Sequence, residues 1–308
     1  MKLEVNQVNK HYGPKHVLKD VSFSVSAGNT LGLLGRNGHG KSTTMKIIMG
    51  IIYSDSGTVT LDGTPINDTH FKLGYLPEER GLYAKSVILD QIVYFGKLRG
   101  LTGAQAKKNA LELLERLEMT EYINKKASTL SKGNQQKIQL AISLINDPDI
   151  IILDEPYSGL DPVNSKMLQD VVEENAKRNK LILFSSHQLN TVEEFCKDIC
   201  IINKGKVLIS GNLETIKNQY PKNKLVISTQ GAEDQTMLEQ LVKGELNAYV
   251  TDHVISGATL EIRLKEANFK NRLLERALQE SVNINAFDTP APTLLEIFLE
   301  KVGQDEEA

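Results

Sequence analysis

The chain has 308 residues, of which 40% are hydrophobic and 24% charged, and a formal net charge of -3. That length holds one large core, or a core of about 200 residues with a smaller one beside it. The composition excludes a fibrous, low-complexity or disulfide-stapled chain.

No apolar run approaches the roughly 18 residues of a spanning helix, IIMGII and IIIL being typical of the longest. The opening MKLEVNQVNKHYG lacks the apolar core of a signal peptide, so export is not expected. Residues 221–308 carry 9 basic against 15 acidic side chains, whereas residues 1–220 carry 27 against 24. The first part suits an anionic small ligand, and no basic run calls for nucleic acid. Cys196 and Cys200, in CKDIC, are too few for a disulfide framework and poorly spaced for zinc; they are expected to be reduced core thiols. Only the acidic tail QDEEA is expected to be disordered.

Residues 2–8 (KLEVNQV) and 20–25 (DVSFSV) alternate polar and apolar side chains, which predicts half-exposed antiparallel strands. TLGLL (30–34) is continuously apolar, as are DIIIL (149–153), LILFS (181–185) and DICII (198–202). Strands buried on both faces by helices read this way in parallel sheets. Helices are predicted at 42–49, 88–99, 103–117, 135–146 and 162–179. Near Tyr220 and Pro221 the pattern breaks. A strand in NKLVIST follows, then a helix near 235–243, a strand near 258–264, a helix near 267–280 and the amphipathic LLEIFLEKV. Two domains are therefore expected: an α/β domain over 1–220 and a small α+β domain over 221–308. In the last helix Leu294, Leu295, Phe298 and Val302 are read as one apolar face, closing its own core or meeting a partner.

GRNGHGKST, from Gly35 to Thr43, follows a predicted strand and opens a predicted helix. Gly35, Gly40, Lys41 and Ser42 fit G-x-x-x-x-G-K-[ST]. In such a loop the glycines let successive N–H groups, here through Arg36, Asn37, Gly38 and His39, turn inward as an anion nest. The helix opening at Lys41 adds its positive dipole end. Lys41 would reach the β and γ phosphates, Ser42 would ligate Mg²⁺ and Thr43 would touch the α phosphate. A second acidic element lies at the end of IIIL, where Asp154 and Glu155 follow a buried strand. Successive strand residues point to opposite sides, which assigns Asp154 to the metal and Glu155 to the attacking water.

In one order along residues 1 to about 220 stand Tyr12, GRNGHGKST, YLPEERGLY (75–83), LSKGNQQ (130–136), IIILDEP, SGLD (158–161) and His187 in FSSHQ. This series resembles the ATP-binding cassette (ABC) ATPases. The resemblance implies a P-loop NTPase cassette with a parallel core sheet, an antiparallel β subdomain and a helical subdomain. It also implies hydrolysis of ATP with Mg²⁺. It gives Tyr12 to the adenine, His187 to the γ phosphate, and Ser131, Gly133 and Asn134 to the γ phosphate held by a second copy of the chain. Asp161 would meet that copy's phosphate loop, in a head-to-tail homodimer. Glu78 stands where the family has a glutamine facing Mg²⁺ and the membrane partner. Two departures accompany it: Lys132 for a glycine and Asn134 for a glutamine in the family's LSGGQ.

YLPEERGLY, LSKGNQQK and PTLLEIFLEKVG further resemble the ATPase subunits of bacterial exporters in the drug-resistance and sodium-extrusion group. That resemblance implies two copies beneath a separate membrane permease, docked near the Glu78 loop and the helix beginning around Ser86, on the inner face of the cell membrane. The rival reading is a soluble ABC ATPase with a regulatory, non-transport role. Ribosome-acting members resemble tandem cassettes, and one phosphate loop is present here; DNA-repair members need a long coiled-coil insertion between phosphate loop and signature, and Ser42 and Leu130 are too close for one. A binding-only cassette is the third reading, and Glu155 and His187 argue against it. Nothing in the chain names the transported substrate.

Overall fold

The computed structural model describes residues 1–79, 81–257 and 259–307, without the side chains of Thr191 and of residues 304–307. Arg80 of YLPEERGLY, Ala258 of ATLEIRL and Ala308 of the acidic tail lie outside the described residues. The chain divides into two compact units, Met1–Leu213 and Glu214–Ala308.

The first unit opens with β1 (Lys2–Tyr12) and β2 (Lys15–Ser26), followed by β3 (Thr30–Leu34) and α1 (Lys41–Ile48). Next come β4 (Ser56–Leu61), β5 (Thr64–Pro65), β6 (Leu73–Leu76), α2 (Ile88–Leu98), α3 (Gly103–Arg116) and α4 (Lys132–Leu144). It closes with β7 (Ile150–Asp154), α5 (Pro162–Lys177), β8 (Leu181–Ser186), α6 (Leu189–Phe195), β9 (Asp198–Asn203) and β10 (Lys206–Asn212). One sheet, ordered β2-β1-β4-β5, is antiparallel. β1 and β2 run on past the alternating segments because register shifts between Val5 and Val8 and between Val8 and His11 let pairing continue to Tyr12↔Lys15.

The larger sheet has the order β10-β9-β3-β8-β7-β6. Its five strands from β9 to β6 are parallel, and β10 alone is antiparallel, on the edge. All five residues of β3 and of β7 are buried, as continuous apolar runs require. Their core includes Leu31, Leu33, Ile150, Ile152, Leu183 and Ile202, packed with Leu3, Val5 and Phe23 of the antiparallel sheet. Because β3 lies between β9 and β8, with β7 next, the carboxyl ends of β3, β8 and β7 stand side by side. Ligands of open α/β sheets bind at that edge.

The second unit contains α7 (Leu213–Asn218, entering from the first), β11 (Lys224–Thr229), α8 (Ala232–Lys243), β12 (Val250–Ser256) and β13 (Thr259–Leu264). It ends with α9 (Phe269–Gln279), β14 (Ile284–Asp288) and α10 (Leu294–Glu307). β11 to β14 form an antiparallel sheet of order β12-β13-β11-β14, which with α8 and α9 is the split β-α-β arrangement. Its core is its own, built from Leu225, Ile227, Leu238, Leu260, Ile262 and Leu273 among others.

Two expectations are corrected here. In α10 the buried face is Leu294, Ile297 and Phe298, spaced i, i+3, i+4, while Leu295 is 43% exposed; helical geometry sets Leu295 a hundred degrees away from Leu294. The backbone of the acidic tail, expected to be disordered, continues α10 as far as Glu307, since Gln and Glu are good helix formers. Cys196 and Cys200 are buried and free. Burial pushes the Cys200 thiol up to about 12, so it stays protonated.

Candidate nucleotide-binding and catalytic site

The phosphate loop joins the end of β3 to α1 through two glycines that no other residue could replace without displacement. A Cβ on Gly35 would stand 2.2 Å from the Ile202 carbonyl oxygen, and one on Gly40 would stand 2.5 Å from Leu18 Cδ2. Gly40, with φ 113°, is also the residue from which α1 starts. The loop lines a cleft of about 290 Å³ with Asn37, Gly38, Gly40, Lys41, Ser42 and Thr43, joined by Val17, Glu78 and Glu155.

Lys41 is buried, and its ammonium donates to the Gly35 carbonyl at 2.7 Å and lies 3.6 Å from Glu155 Oε1. Glu155 is equally buried; Oε1 accepts no hydrogen bond, while Oε2 accepts from His187 Nδ1 at 2.9 Å. One carboxylate thus joins the phosphate-loop lysine to the histidine after β8. Glu155 is not a continuation of the strand: its φ is 50°, so the turn beyond Asp154, rather than strand alternation, aims its side chain. Asp154 and Glu155 are further linked through Ser185, whose hydroxyl donates to Asp154 Oδ1 at 2.5 Å and accepts from the Glu155 N–H at 2.9 Å.

Three further side chains come from the motifs quoted above. Tyr75, on β6, has its phenol pushed up to about 12 by burial and then by the charges of Asp154 and Glu78. Gln136 of α4 donates to the Pro156 carbonyl at 3.2 Å, tying the signature helix to the turn after Glu155. His39 has its imidazole held below 6.5 by burial and by the charges of Arg36, Lys41 and Lys204.

Of the predicted residues, Tyr12, Gly35, Arg36, His39, Ser131, Gly133, Asn134, Asp154, Asp161 and His187 do not line this cleft, although Asp154 is bonded to Ser185 and His187 to Glu155 beside it. Tyr12 is 49% exposed at the end of β1, and from the same hairpin it is Val17 that reaches the lining. The signature residues gather elsewhere. Ser131 caps α4, its hydroxyl accepting from the Asn134 N–H at 3.2 Å. Gly133 lies against Asn164, which a Cβ there would approach to 3.0 Å. Asn164 donates through its backbone N–H and its amide to Asp161, the N-cap of α5. These bonds hold the Asp161 carboxyl below its ordinary value. Ser131, Gly133, Asn164 and Asp161 are therefore one cluster at two neighbouring helix N-termini, with Ser131 and Asp161 exposed and Gly133 and Asn164 half-buried.

The cleft's oxygens suit a hard cation. Ser42 and Glu78 line it with a hydroxyl and a carboxylate, and Asp154, buried at the end of β7, is a second carboxylate, oriented by Ser185 on one oxygen only. Among the described residues no three His, Cys, Asp or Glu side chains form a metal cage. Magnesium is characteristically bound by one or two protein oxygens with the remainder from phosphates and water.

The family model for "ABC transporter" matches residues 18–158, and that for "ATP-binding protein DrrA1-3-like, C-terminal domain" matches residues 211–302. The "Uncharacterized ABC transporter ATP-binding protein YhaQ" of Bacillus subtilis (strain 168) is 38% identical over 302 residues, 98% of each chain. The linearmycin resistance ATP-binding protein LnrL of the same organism is 29% identical over 309 residues, again 98% of each. The Nod factor export ATP-binding protein I of Burkholderia lata is 30% identical over 292 residues, 92% of this chain and 94% of that one. A solved ATP-binding subunit of an ABC transporter superposes with a TM-score of 0.65 at 30% identity, covering 71% of this chain and 93% of the other. The dimeric post-hydrolysis state of the cassette MJ0796 bound to ADP and Pi gives 0.62 at 25%, covering 68% and 98%.

Phosphate loop, paired carboxylates and signature helix, set on this fold, define a nucleotide-hydrolysing cassette. The chain belongs to the ATP-binding proteins of ABC transporters, and it is an ATPase.

Proposed function

We propose that two copies of the chain close head to tail on two Mg-ATP molecules and drive a separate membrane permease that exports its substrate. The carrying observation is that Ser131, Gly133 and Asp161, read as contacts to the nucleotide, are absent from the lining of the Lys41 cleft. A surface completed only by a second copy is what a symmetric dimer supplies. The dimeric form of MJ0796 supports the pairing, and the resistance and export names of LnrL and the Nod factor protein support the direction of transport. No described helix is long and apolar enough to cross a membrane, which fits a subunit that works through a permease on the inner face.

In this reading the N–H groups of Gly35–Thr43 and Lys41 hold the β and γ phosphates, Thr43 the α phosphate, and Tyr12 the adenine. Ser42 and Asp154 would hold magnesium, with Glu78 facing the same cleft; the bound ion neutralises phosphate charge. Glu155 takes the proton of the attacking water. His187 steadies that carboxylate through Oε2 and reaches toward the γ phosphate, and the partner copy closes the site with Ser131, Gly133 and Asn134. Catalysis is then positioning and electrostatics, completed by closure. The second unit is read as an accessory domain of the cassette.

The test is sedimentation of Glu155→Gln with and without Mg-ATP, paired with affinity purification of the tagged chain from membranes. An ATP-dependent dimer and a co-purifying polytopic protein are expected. A chain that stays monomeric with ATP, or that is recovered with ribosomes instead of a permease, overturns the proposal.

A further inference from the structure

Ser185 is the next-to-last residue of β8 and is wholly buried. The register of β7 and β8 sets it directly beside Asp154. A serine hydroxyl has one proton to give and two lone pairs to receive with. Here the proton goes to Asp154 Oδ1 and a lone pair takes the Glu155 N–H. Both partners need it. Asp154 has one oxygen committed and is thereby fixed about its terminal torsion, with the other oxygen left for magnesium in the reading proposed above. Glu155 sits at φ 50°, a conformation uncommon outside glycine, and its N–H has left the sheet ladder. Ser185 supplies the acceptor that such a buried N–H requires. The same left-handed turn sends the Glu155 carboxylate between Lys41 and His187. Ser186, its neighbour, accepts from the Gln188 N–H and so serves the His187 loop instead.

We propose that Ser185 is a positioning residue for ATP hydrolysis, in which a single hydroxyl sets the orientation of the magnesium-facing carboxylate and the backbone of the catalytic one. This rests on the roles given above to Asp154 and Glu155. A serine that merely filled space in the sheet would affect folding but not the response to magnesium.

The experiment uses the full chain with Ser185→Ala, Ser185→Thr and Ser185→Cys. Ser143→Ala serves as control, because Ser143 is equally buried and its hydroxyl serves only Leu140 of its own helix. Binding of a non-hydrolysable ATP analogue is titrated against magnesium and repeated in EDTA; turnover is measured alongside. Loss of such an outer support costs about 10–100-fold in metal affinity or activity. Ser185→Ala is therefore expected to raise the half-saturating magnesium concentration and lower kcat by that order, with analogue affinity in EDTA and KM for ATP unchanged. Ser185→Thr, which keeps the hydroxyl, should recover most of the loss, and Ser143→Ala should show none. If the alanine variant fails to fold, Ser185→Cys, close in volume but a weak donor, must show the same magnesium defect. Wild-type magnesium dependence in a folded alanine or cysteine variant overturns the proposal, as does an equal defect in Ser143→Ala. Glu155→Gln separates this from the parent reading: if that variant hydrolyses ATP normally, the role of Glu155 itself has failed.

Discussion

In the Lys41 cleft the charges already have partners from the chain itself: the ammonium lies against Gly35 and Glu155, and Glu155 against His187. At the tip of α4, by contrast, the polar groups stand exposed, Ser131 and Lys132 among them, with a single cap bond from Ser131 to Asn134. The cleft is preorganised by burial, so removing any member leaves a neighbour stranded. The cluster at the helix tips is held in shape at the surface, and changes there should cost function more than fold.

The sharpest way to break this contrast is Glu155→Gln. Losing the proposed general base should reduce turnover by about 10²–10⁴-fold, with ATP affinity kept; steady-state hydrolysis and equilibrium binding read the two separately. Lys41→Ala comes next. Charge-assisted hydrogen bonds contribute about 1.5–3 kcal/mol, so nucleotide affinity should fall roughly 10–100-fold by the conversion of free energy to equilibrium constant. The melting temperature should fall too, because the Glu155 carboxylate is left buried beside no cation. Ser131→Ala should cost about 1 kcal/mol of helix stability through the lost cap, leave binding to the single chain unchanged, and lower turnover only where two copies assemble. Equal loss of binding in Ser131→Ala and Lys41→Ala would erase the distinction.

The smallest effect concerns His39. Its folded-state value lies below 6.5 because of burial and the cations around it, so protonation favours the unfolded chain. Stability should therefore drop as pH falls below 6.5 and level off once the folded-state value is passed. Phosphates in the cleft oppose those cations, so ATP should shrink the drop. Thermal melts from pH 7.5 to 5, with and without ATP, should show this in the wild type and lose it in His39→Asn.

Much of the cassette was legible because its constraints are local. Gly35 and Gly40 are dictated by contacts of 2.2 and 2.5 Å, and β3, β7, β8 and β9 by burial on both faces. The short or half-exposed strands β4, β5, β6, β10, β12 and β14 leave no comparable pattern in the sequence. Ser185 shows why the site was only partly readable: a serine at a strand end means nothing until strand register sets it beside Asp154. Leu295 shows the converse, an apolar residue whose helical phase, not its chemistry, decides where it goes.

The second unit closes a hydrophobic interior without borrowing from the cassette's own. Two interiors that share no residue let mutations accumulate in one without disturbing the packing of the other.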